Sequence, residues 1–227
     1  MMKKYYEAYD ERYRAVHGMG MRWSLDIQTP VVLDSIKKYC KSNDAVLEIG
    51  CGEGRDAKAV LSYGCDLTAA DISPDAIKFC KKEMPESKDR FIVLDCINGR
   101  LDKKFDFIYS AAVIHMLTED RDREGFYRFI SDHLNDGGHA LVCSMGDGVR
   151  EVCTDPDEAY EIKERDHFGQ TVKVVSTSCR TVSEKTFKYE AEKAGFAVVE
   201  YGITHIPPEF DSLMYTVLAK TAHDKKS

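Results

Sequence analysis

Three glycines at alternate positions, Gly50, Gly52 and Gly54, follow an apolar run and precede a helical pattern. Glycine has no side chain and tolerates backbone angles that other residues avoid, so a ligand can lie against such a loop and reach the amides of the next helix. A second apolar run ends in Asp71, nineteen residues after Gly52. A carboxylate at the carboxyl end of the neighbouring parallel strand is where a ribose diol is held. These residues predict a site for a nucleotide-type ligand.

The glycine spacing admits more than one such ligand. Shifted by one glycine, Gly52, Gly54 and Ala57 satisfy the dinucleotide pattern G-x-G-x-x-A, with Asp71 where the acidic ribose ligand belongs. The loop alone therefore does not decide whether a dinucleotide binds here, and the rest of the chain must decide it.

Strands and helices alternate on both sides of this loop. The helices have apolar faces and begin at capping residues followed by proline, as at Thr29-Pro30 and Ser73-Pro74. Apolar runs predict strands over residues 46–49, 65–70, 91–94, 105–110, 139–144, 196–203 and 212–220, with a further strand-like run over 171–177. The run Asn135–Gly138 is predicted to end the helix before the fifth strand. Asp56 lies in the first turn of the helix after the glycine loop, where an acidic residue favours the helix dipole. This alternation of strands and helices is typical of an α/β fold with a mostly parallel sheet, which brings the glycine loop and Asp71 to one edge.

The pattern E-x-G-x-G-x-G at residues 48–54 resembles motif I of the class I S-adenosylmethionine (SAM) dependent methyltransferases. Asp71 stands where these proteins have their acidic ribose ligand. The segment from Phe105 to His115 resembles their motif IV, in which a fourth strand ends beside the transferable methyl group. The helix, strand, long turn and strand between Ser183 and Lys220 also match the family, whereas half of a Rossmann oxidoreductase does not predict that final hairpin.

The resemblance implies a Rossmann-like, seven-stranded, mostly parallel sheet with helices on both faces. Its terminal strand would be antiparallel, inserted between strands five and six. We predict an N-terminal aromatic flap over residues 1–28, the methyltransferase domain over 29–220 and a disordered tail over 221–227. Periodicity weakens and acidic charge rises over residues 145–183, where we predict a substrate-side insertion.

The resemblance also implies SAM as cofactor and S-adenosylhomocysteine (SAH) as product. Asp71 would hold the ribose, the Asp95 carboxylate would accept from the adenine amino group, and the Cys96 amide would meet a ring nitrogen. The alternative for Asp95 is a turn cap at the end of a strand. The predicted cofactor-binding residues are Glu48, Gly50, Cys51, Gly52, Gly54, Asp71, Ile72, Asp95, Cys96 and Ser110.

We predict the acceptor pocket where three segments meet: the end of the fourth strand, the N-terminal aromatics and the insertion. Sheets of this kind bind ligands outside the carboxyl ends of their strands, and these segments remain once the glycine loop has taken the cofactor. Arg180 has the chemistry to clamp a substrate carboxylate. The predicted substrate residues are Tyr13, Arg22, Trp23, His115 and Arg180. The alternative for the N-terminal aromatics is that they only cover the core.

Methyl transfer from a sulfonium is an in-line displacement, so alignment of the acceptor and exclusion of water supply most of the rate. An oxygen or ammonium acceptor must also lose a proton, whereas a thiolate needs no base. His115 is the predicted catalytic base, the alternative being a histidine that only packs. Residues Ser110 to Val113 lack the Asn/Asp-Pro-Pro-aromatic clamp of amino-methylating DNA and glutamine methyltransferases, which argues against a nucleobase acceptor.

Charge, hydropathy and cysteine content limit the classes of partner that the protein can be expected to bind. Of the 227 residues, 32 are Lys or Arg and 39 are Asp or Glu, so the net charge of -7 argues against a nucleic-acid partner. No apolar run reaches the eighteen or more residues of a membrane span, and the N-terminus lacks an apolar signal core. The eight cysteines include no C-x-x-C pair and mostly lie in apolar runs, which predicts reduced, buried thiols and no metal.

We therefore predict a SAM-dependent methyltransferase that acts on an O, N or S atom of a small-molecule acceptor. We expect it in the cytoplasm, as a monomer or homodimer, with no nucleic-acid or membrane partner. The alternatives are an NAD(P)-dependent oxidoreductase and a catalytically silent SAM or nucleotide sensor.

Overall fold

Successive residues of a buried strand face opposite sides of the sheet, and the first strand shows this directly. Val46 packs in one hydrophobic cluster with residues of the second, third and fourth helices, while Leu47 packs in another with residues of the fifth and sixth. The computed structural model describes residues 3–221. The helices thus cover both faces of a central sheet.

The secondary structure alternates as expected. The helices are α1 (Ala8–Gly18), α2 (Pro30–Tyr39), α3 (Arg55–Tyr63), α4 (Pro74–Glu83), α5 (Asp120–His133) and α6 (Glu184–Lys193), with 3₁₀ turns at Tyr5–Glu7, Pro85–Arg90, Ile114–Met116 and Pro156–Glu158. The strands are β1 (Ala45–Ile49), β2 (Asp66–Asp71), β3 (Phe91–Val93), β4 (Phe105–Ser110), β5 (Leu134–Met145), β6 (Val152–Cys153), β7 (Ile162–His167), β8 (Gln170–Val175), β9 (Arg180–Thr181), β10 (Phe196–Ile206) and β11 (Phe210–Lys220).

Seven of these strands form one sheet in the order β10-β11-β5-β4-β1-β2-β3. The strands from β5 to β3 pair in parallel, and β11 lies antiparallel between β5 and β10. The predicted Rossmann-like fold with an antiparallel terminal strand is confirmed. Connections leave β1 in opposite directions toward β2 and β4, which makes the carboxyl end of β1 the expected ligand crevice.

Two local predictions were wrong. The turn expected at Asn135–Gly138 lies inside β5, which begins at Leu134 and pairs irregularly with β4 where the register shifts between Phe105 and Phe107. The asparagine side chain donates to the Asp106 carboxylate (2.8 Å), so polar contacts replace the expected loop. In the insertion, the single strand expected over residues 171–177 is half of a hairpin formed by β7 and β8.

The N-terminal segment and this hairpin pack on each other. Val16 of α1 forms a small cluster with Val172 and Val174 of β8, and Trp23 packs against it. Helix α1 also contacts α4. The tail predicted over residues 221–227 lies, except for Thr221, outside the described residues. No helix among residues 3–221 combines the length and apolarity needed to cross a bilayer.

Asp56 does more than favour the α3 dipole, as the sequence suggested. It is buried and accepts hydrogen bonds from the Thr29 backbone amide (2.7 Å) and hydroxyl (2.8 Å), so it fixes the start of α2. We expect Asp56→Ala to lower the free energy of unfolding by about 1.5–3 kcal/mol, because it leaves a buried amide and hydroxyl without their charged acceptor. Urea denaturation measures it. The exposed Asp34→Ala on α2 is the matched control, and equal small losses in both variants would contradict this role.

Candidate functional site

One large cavity, of about 780 Å³, lies at the carboxyl ends of the parallel strands. Its walls come from the loops after β1, β2, β3 and β4, from the N-terminal segment and from the insertion. The size is in the range of sites that bind small molecules and cofactors. The predicted site residues that line it are Tyr13, Trp23, Glu48, Gly50, Cys51, Gly52, Asp71, Ile72, Asp95, Cys96 and His115.

The glycine loop leaves no room for side chains. Gly50, Gly52 and Gly54 all have positive φ angles, of 75°, 52° and 80°. A Cβ atom on Gly52 would lie 2.6 Å from the Tyr13 hydroxyl, and one on Gly50 would collide with the Val113 side chain. The Gly50 and Cys51 amides donate to the Ala70 carbonyl of β2 (2.7 and 2.9 Å), which ties the loop to the next strand. The loop is therefore a cradle that only glycine can form.

Asp71 is held by the backbone around it. Its Oδ2 accepts from the Gly52 amide (2.8 Å), and its Oδ1 accepts from the Ser73 amide (2.9 Å). Burial raises the pKa of Asp71, although these amides oppose the shift. Each carboxylate oxygen can accept two hydrogen bonds. Asp71 is thus oriented at the cavity wall with acceptor capacity left for the two hydroxyls of a diol.

Asp95 lies under the first turn of the chain. Lys4 pairs with its Oδ2 (2.6 Å), Asn98 donates to the same oxygen (2.9 Å), and the Ile97 amide donates to Oδ1 (2.9 Å). Burial opposes ionisation, but these hydrogen bonds outweigh it, so the pKa of Asp95 lies below its ordinary value. Asp95 is both the turn cap that the sequence allowed and a cavity wall residue beside Cys96.

Two buried polar atoms on the cavity wall have no hydrogen-bond partner among the described residues, Glu48 Oε2 and His115 Nδ1. Burial, and then the nearby Asp56 charge, raise the pKa of Glu48 well above its ordinary value. Buried polar atoms in proteins normally have a hydrogen-bond partner, so two such atoms without one on a cavity wall indicate a site for a ligand. An acidic wall around a glycine cradle fits a ligand that carries a diol and positive charge.

His115 sits in the 3₁₀ turn that follows β4. Burial, and then the Arg123 charge, lower the pKa of His115 from 6.5 to about 4. Arg123 also fixes the turn, since its Nη1 donates to the carbonyls of Ile114 (2.7 Å) and Leu117 (3.2 Å). Glu190 holds the Arg123 guanidinium in place through two hydrogen bonds (2.8 and 2.6 Å). At neutral pH the imidazole is therefore uncharged and can accept a proton.

Comparison with known families agrees with this geometry. A family described as "Methyltransferase domain" matches residues 47–140, which span the glycine loop, Asp71, Asp95 and His115. Residues 47–140 thus match a methyltransferase domain, and the seven-stranded fold is the one shared by the class I SAM-dependent methyltransferases. The recognition made from motifs I and IV is confirmed.

Two curated relatives show the extent of the similarity of this chain to known proteins. The malonyl-[acyl-carrier protein] O-methyltransferase of Acetivibrio thermocellus is 31% identical over 90 residues, covering 39% of this chain and 32% of that protein. The ribosomal protein L11 methyltransferase of Campylobacter concisus is 32% identical over 111 residues, covering 45% of this chain and 40% of that protein. The chain thus spans about a third to two fifths of the length of these curated relatives.

Solved structures extend the fold over most of the chain. The CcbJ methyltransferase of Streptomyces caelestis superposes with a TM-score of 0.68 at 14% identity, covering 98% of this chain and all of that one (100%). A SAM-dependent methyltransferase of Clostridium acetobutylicum superposes with a TM-score of 0.64 at 15% identity, covering 83% of this chain and 89% of that one. At these identities the likeness shows the fold alone.

Four predicted site residues lie outside the cavity wall. Gly54 is the N-cap of α3 and packs near Met84, while Ser110 is buried at the end of β4. Arg22 lies over the Phe79 ring. Arg180 lines a separate cavity between α5 and α6 and pairs with Asp120 (2.6 Å), so the structure does not bring it to the predicted acceptor pocket.

Glu53 is a buried residue of the cavity wall that the sequence analysis did not select. Its buried carboxylate accepts from the Trp23 amide (2.7 Å), the Ser24 amide (2.8 Å) and hydroxyl (2.7 Å), and contacts His17 Nε2 (2.8 Å). It anchors the N-terminal segment to the glycine loop itself. Its only signal was an acidic residue between two loop glycines, which otherwise reads as a favourable charge near a helix start.

The insertion completes the cavity. His167 of β7 stacks on Trp23 with a centroid distance of 4.9 Å, and its Nε2 contacts the Arg22 carbonyl (2.7 Å). The other wall residues not foreseen are Tyr6, Tyr9, Arg12, Arg55, Asp56, Arg165, Asp166, Phe168, Thr177, Ser178, Cys179, Glu209 and Phe210. Residues 3–221 contain no group of three or more His, Cys, Asp or Glu placed to hold a metal ion.

Proposed function

We propose that this methyltransferase transfers a methyl group from SAM to an O, N or S atom of a small-molecule acceptor and releases SAH. One observation carries the proposal: a single cavity joins the glycine loop and Asp71 to the uncharged His115 and to walls from both the N-terminal segment and the insertion. A cofactor end and an acceptor end would therefore share one cavity.

The residues of the cofactor end fit SAM. The glycine loop would lie against the ligand backbone, Asp71 would accept from the ribose hydroxyls, and Asp95 with the Cys96 amide would face the adenine. Glu48 would gain a partner, since a cation in the cavity favours its charged form. When bound, SAM supplies an electrophilic methyl group on a sulfonium.

The chain's own contribution to the reaction is alignment and proton acceptance. Tyr13, Trp23 and the hairpin would exclude water and orient the acceptor against the methyl group, which is where most of the rate arises. For an oxygen or ammonium acceptor, the neutral His115 would take the proton that the acceptor loses. A thiolate acceptor would need only the alignment.

The relatives leave the acceptor open. Their names include a malonyl-[acyl-carrier protein] O-methyltransferase and a ribosomal protein L11 methyltransferase, and structural neighbours include a glycopeptide N-methyltransferase. We favour a small molecule because the N-terminal segment, the β4 turn and the insertion all contribute residues to one cavity of about 780 Å³. The cytoplasmic location and the monomeric or homodimeric state stay predictions.

Ligand binding tests the cofactor. We expect SAM and SAH, but not NAD or NADP, to raise the melting temperature, because a ligand that binds only the folded state stabilises it. Asp71→Ala should weaken SAH binding by about 1.5–3 kcal/mol in calorimetry, the loss of hydrogen bonds to a charged acceptor. Exposed Asp89→Ala is the control and should leave the affinity unchanged. Stabilisation by NAD rather than by SAH would instead favour the alternative of an NAD(P)-dependent oxidoreductase.

Transfer itself is tested with methyl-labelled SAM and a fractionated metabolite extract. Label appearing in a small product, with SAH formed in equal amount, supports the proposal. SAH binding without turnover in any fraction would favour the silent sensor, and label retained only in protein would point to a macromolecular acceptor.

A further inference from the structure

We propose that the acceptor carries an oxyanion, a carboxylate or a phosphate, which Arg12 binds with help from Arg165. This inference rests on the proposed function and names the substrate class of the same site. Both arginines line the cavity on the side formed by α1 and the hairpin. Neither has a carboxylate partner among residues 3–221.

Arg12 is a buried cation held ready without a counter-ion. It is almost completely buried, and its Nε and Nη2 donate to one backbone carbonyl, that of Val175 (3.2 and 2.8 Å). Its guanidinium lies over the rings of Tyr9 (4.8 Å) and Trp23 (4.6 Å). Tyr9 is also a polar neighbour of the guanidinium, and no carboxylate among residues 3–221 forms an ion pair with it. Buried charges in proteins are normally paired with opposite charge, so this cation lacks a partner that a ligand can supply.

The acids on the cavity wall near this side form no ion pair with Arg12 or Arg165, and each one has other hydrogen-bond or ion-pair partners. Glu53 binds the Trp23–Ser24 backbone, Asp95 binds Lys4, and Glu209 binds Arg55. Asp166 accepts from the Gly169 amide at the tip of its own hairpin. Of the three cavity arginines, Arg55 is thus neutralised and Arg12 and Arg165 are not.

Acids line the cavity at both ends, but the two arginines without a carboxylate partner among residues 3–221, buried Arg12 and exposed Arg165, lie only on the side of α1 and the hairpin. Glu48, Asp71 and Asp95 stand at the cofactor end, where the ligand is cationic, and the two arginines stand at the other. Burial lowers the pKa of Arg12, Tyr9 opposes this shift, and the like charge of Arg165 adds to it. A planar guanidinium fixed between aromatic rings presents its free edge in one plane, which suits a carboxylate or phosphate.

The test is anion selectivity of the SAH-loaded protein. Trp23 is the only tryptophan and touches Arg12, so its fluorescence reports binding at this point. Benzoate, its neutral counterpart benzamide, and phenyl phosphate are titrated in parallel, with equilibrium dialysis of labelled benzoate as a second readout. We expect at least one anion to bind about tenfold or more tightly than benzamide. Comparison of the two anions separates a carboxylate from a phosphate acceptor.

Arg12→Gln should bring the anion-to-benzamide ratio close to one, and Arg165→Gln should reduce it less. Arg14→Gln, an exposed residue of the same helix that pairs with Asp10, is the matched control and should keep the wild-type ratio. If Arg12→Gln does not fold, Arg12→Lys takes its place. The anion-to-benzamide ratio of the wild-type protein then remains the main test of whether the site selects anions. Anions that bind no better than benzamide, or a preference that survives Arg12→Gln, would overturn the inference. Failure to bind SAH at all would instead refute the proposed function.

Discussion

Replacing Gly52 with valine is expected to weaken SAH binding by at least about 100-fold, roughly 3 kcal/mol. Two effects add. The φ angle of 52° places this residue in the left-handed region, which costs a β-branched residue conformational energy. Its Cβ would also lie 2.6 Å from the Tyr13 hydroxyl, so the side chain must displace either the N-terminal wall or the ligand. Isothermal titration of the folded variant with SAH measures the loss.

Gly195→Val is the matched control for this prediction. Gly195 also has a positive φ, of 87°, but no atom lies within 4 Å of its added Cβ and it is remote from the cavity wall. We expect it to lower stability by backbone strain and to leave SAH affinity unchanged. Gly52→Val with near-normal affinity would show that the ligand does not lie against this loop.

Replacing His115 with glutamine is expected to lower kcat by about 100-fold or more with an oxygen or nitrogen acceptor, the usual contribution of a positioned base. SAH affinity should be unaffected, which separates loss of the base from loss of the cavity. The matched control is His139→Gln, because His139 stacks on Tyr39 away from the cavity wall. A His115→Gln variant with normal turnover would leave alignment as the whole mechanism.

The pH profile sharpens the His115 prediction. A base works in its deprotonated form, so the rate falls as pH drops through its pKa. Because burial and Arg123 lower the pKa of His115 to about 4, the fall should centre near pH 4 rather than at the ordinary value of 6.5. We expect titration of His115 to leave the wild-type kcat/KM unchanged above pH 5. The decrease in kcat/KM near pH 4 should be absent in His115→Gln. A decrease in the wild-type kcat/KM centred near pH 6.5 that is absent in His115→Gln would contradict the inference that burial lowers the pKa of His115.

The cofactor end of the site could be predicted from the sequence because it depends on local patterns. Alternating glycines after an apolar run specify a strand, a tight loop and a helix, and a parallel sheet then places Asp71 beside the loop whatever the other contacts are. The structure has this arrangement, with the Gly52 amide bonded to the Asp71 carboxylate. The antiparallel position of β11 needed the family resemblance, since strand order is not encoded in periodicity.

The acceptor end could be foreseen only as a meeting of segments. Tyr13, Trp23 and His115 do reach the cavity, but which charged side chain joins them depends on how α1 seats against β8. That packing places Arg12 on the wall and leaves Arg180 on the far side of the insertion, paired with Asp120. From the sequence, Arg180 was selected and Arg12 was not considered, because neither spacing nor composition records which arginine the tertiary contacts bury in the cavity wall.

The small cluster of Val16, Val172 and Val174 joins parts of the chain that lie more than 150 residues apart. The family match stops at residue 140 and begins at 47, so both partners of this cluster lie outside it. A change of acceptor would therefore require the N-terminal helix and the hairpin to change together, because they pack on each other. The matched strands and the glycine loop could stay as they are. The matched region thus contains the strands and the loop that would bind the methyl donor, whereas the two segments that would select the acceptor lie outside it.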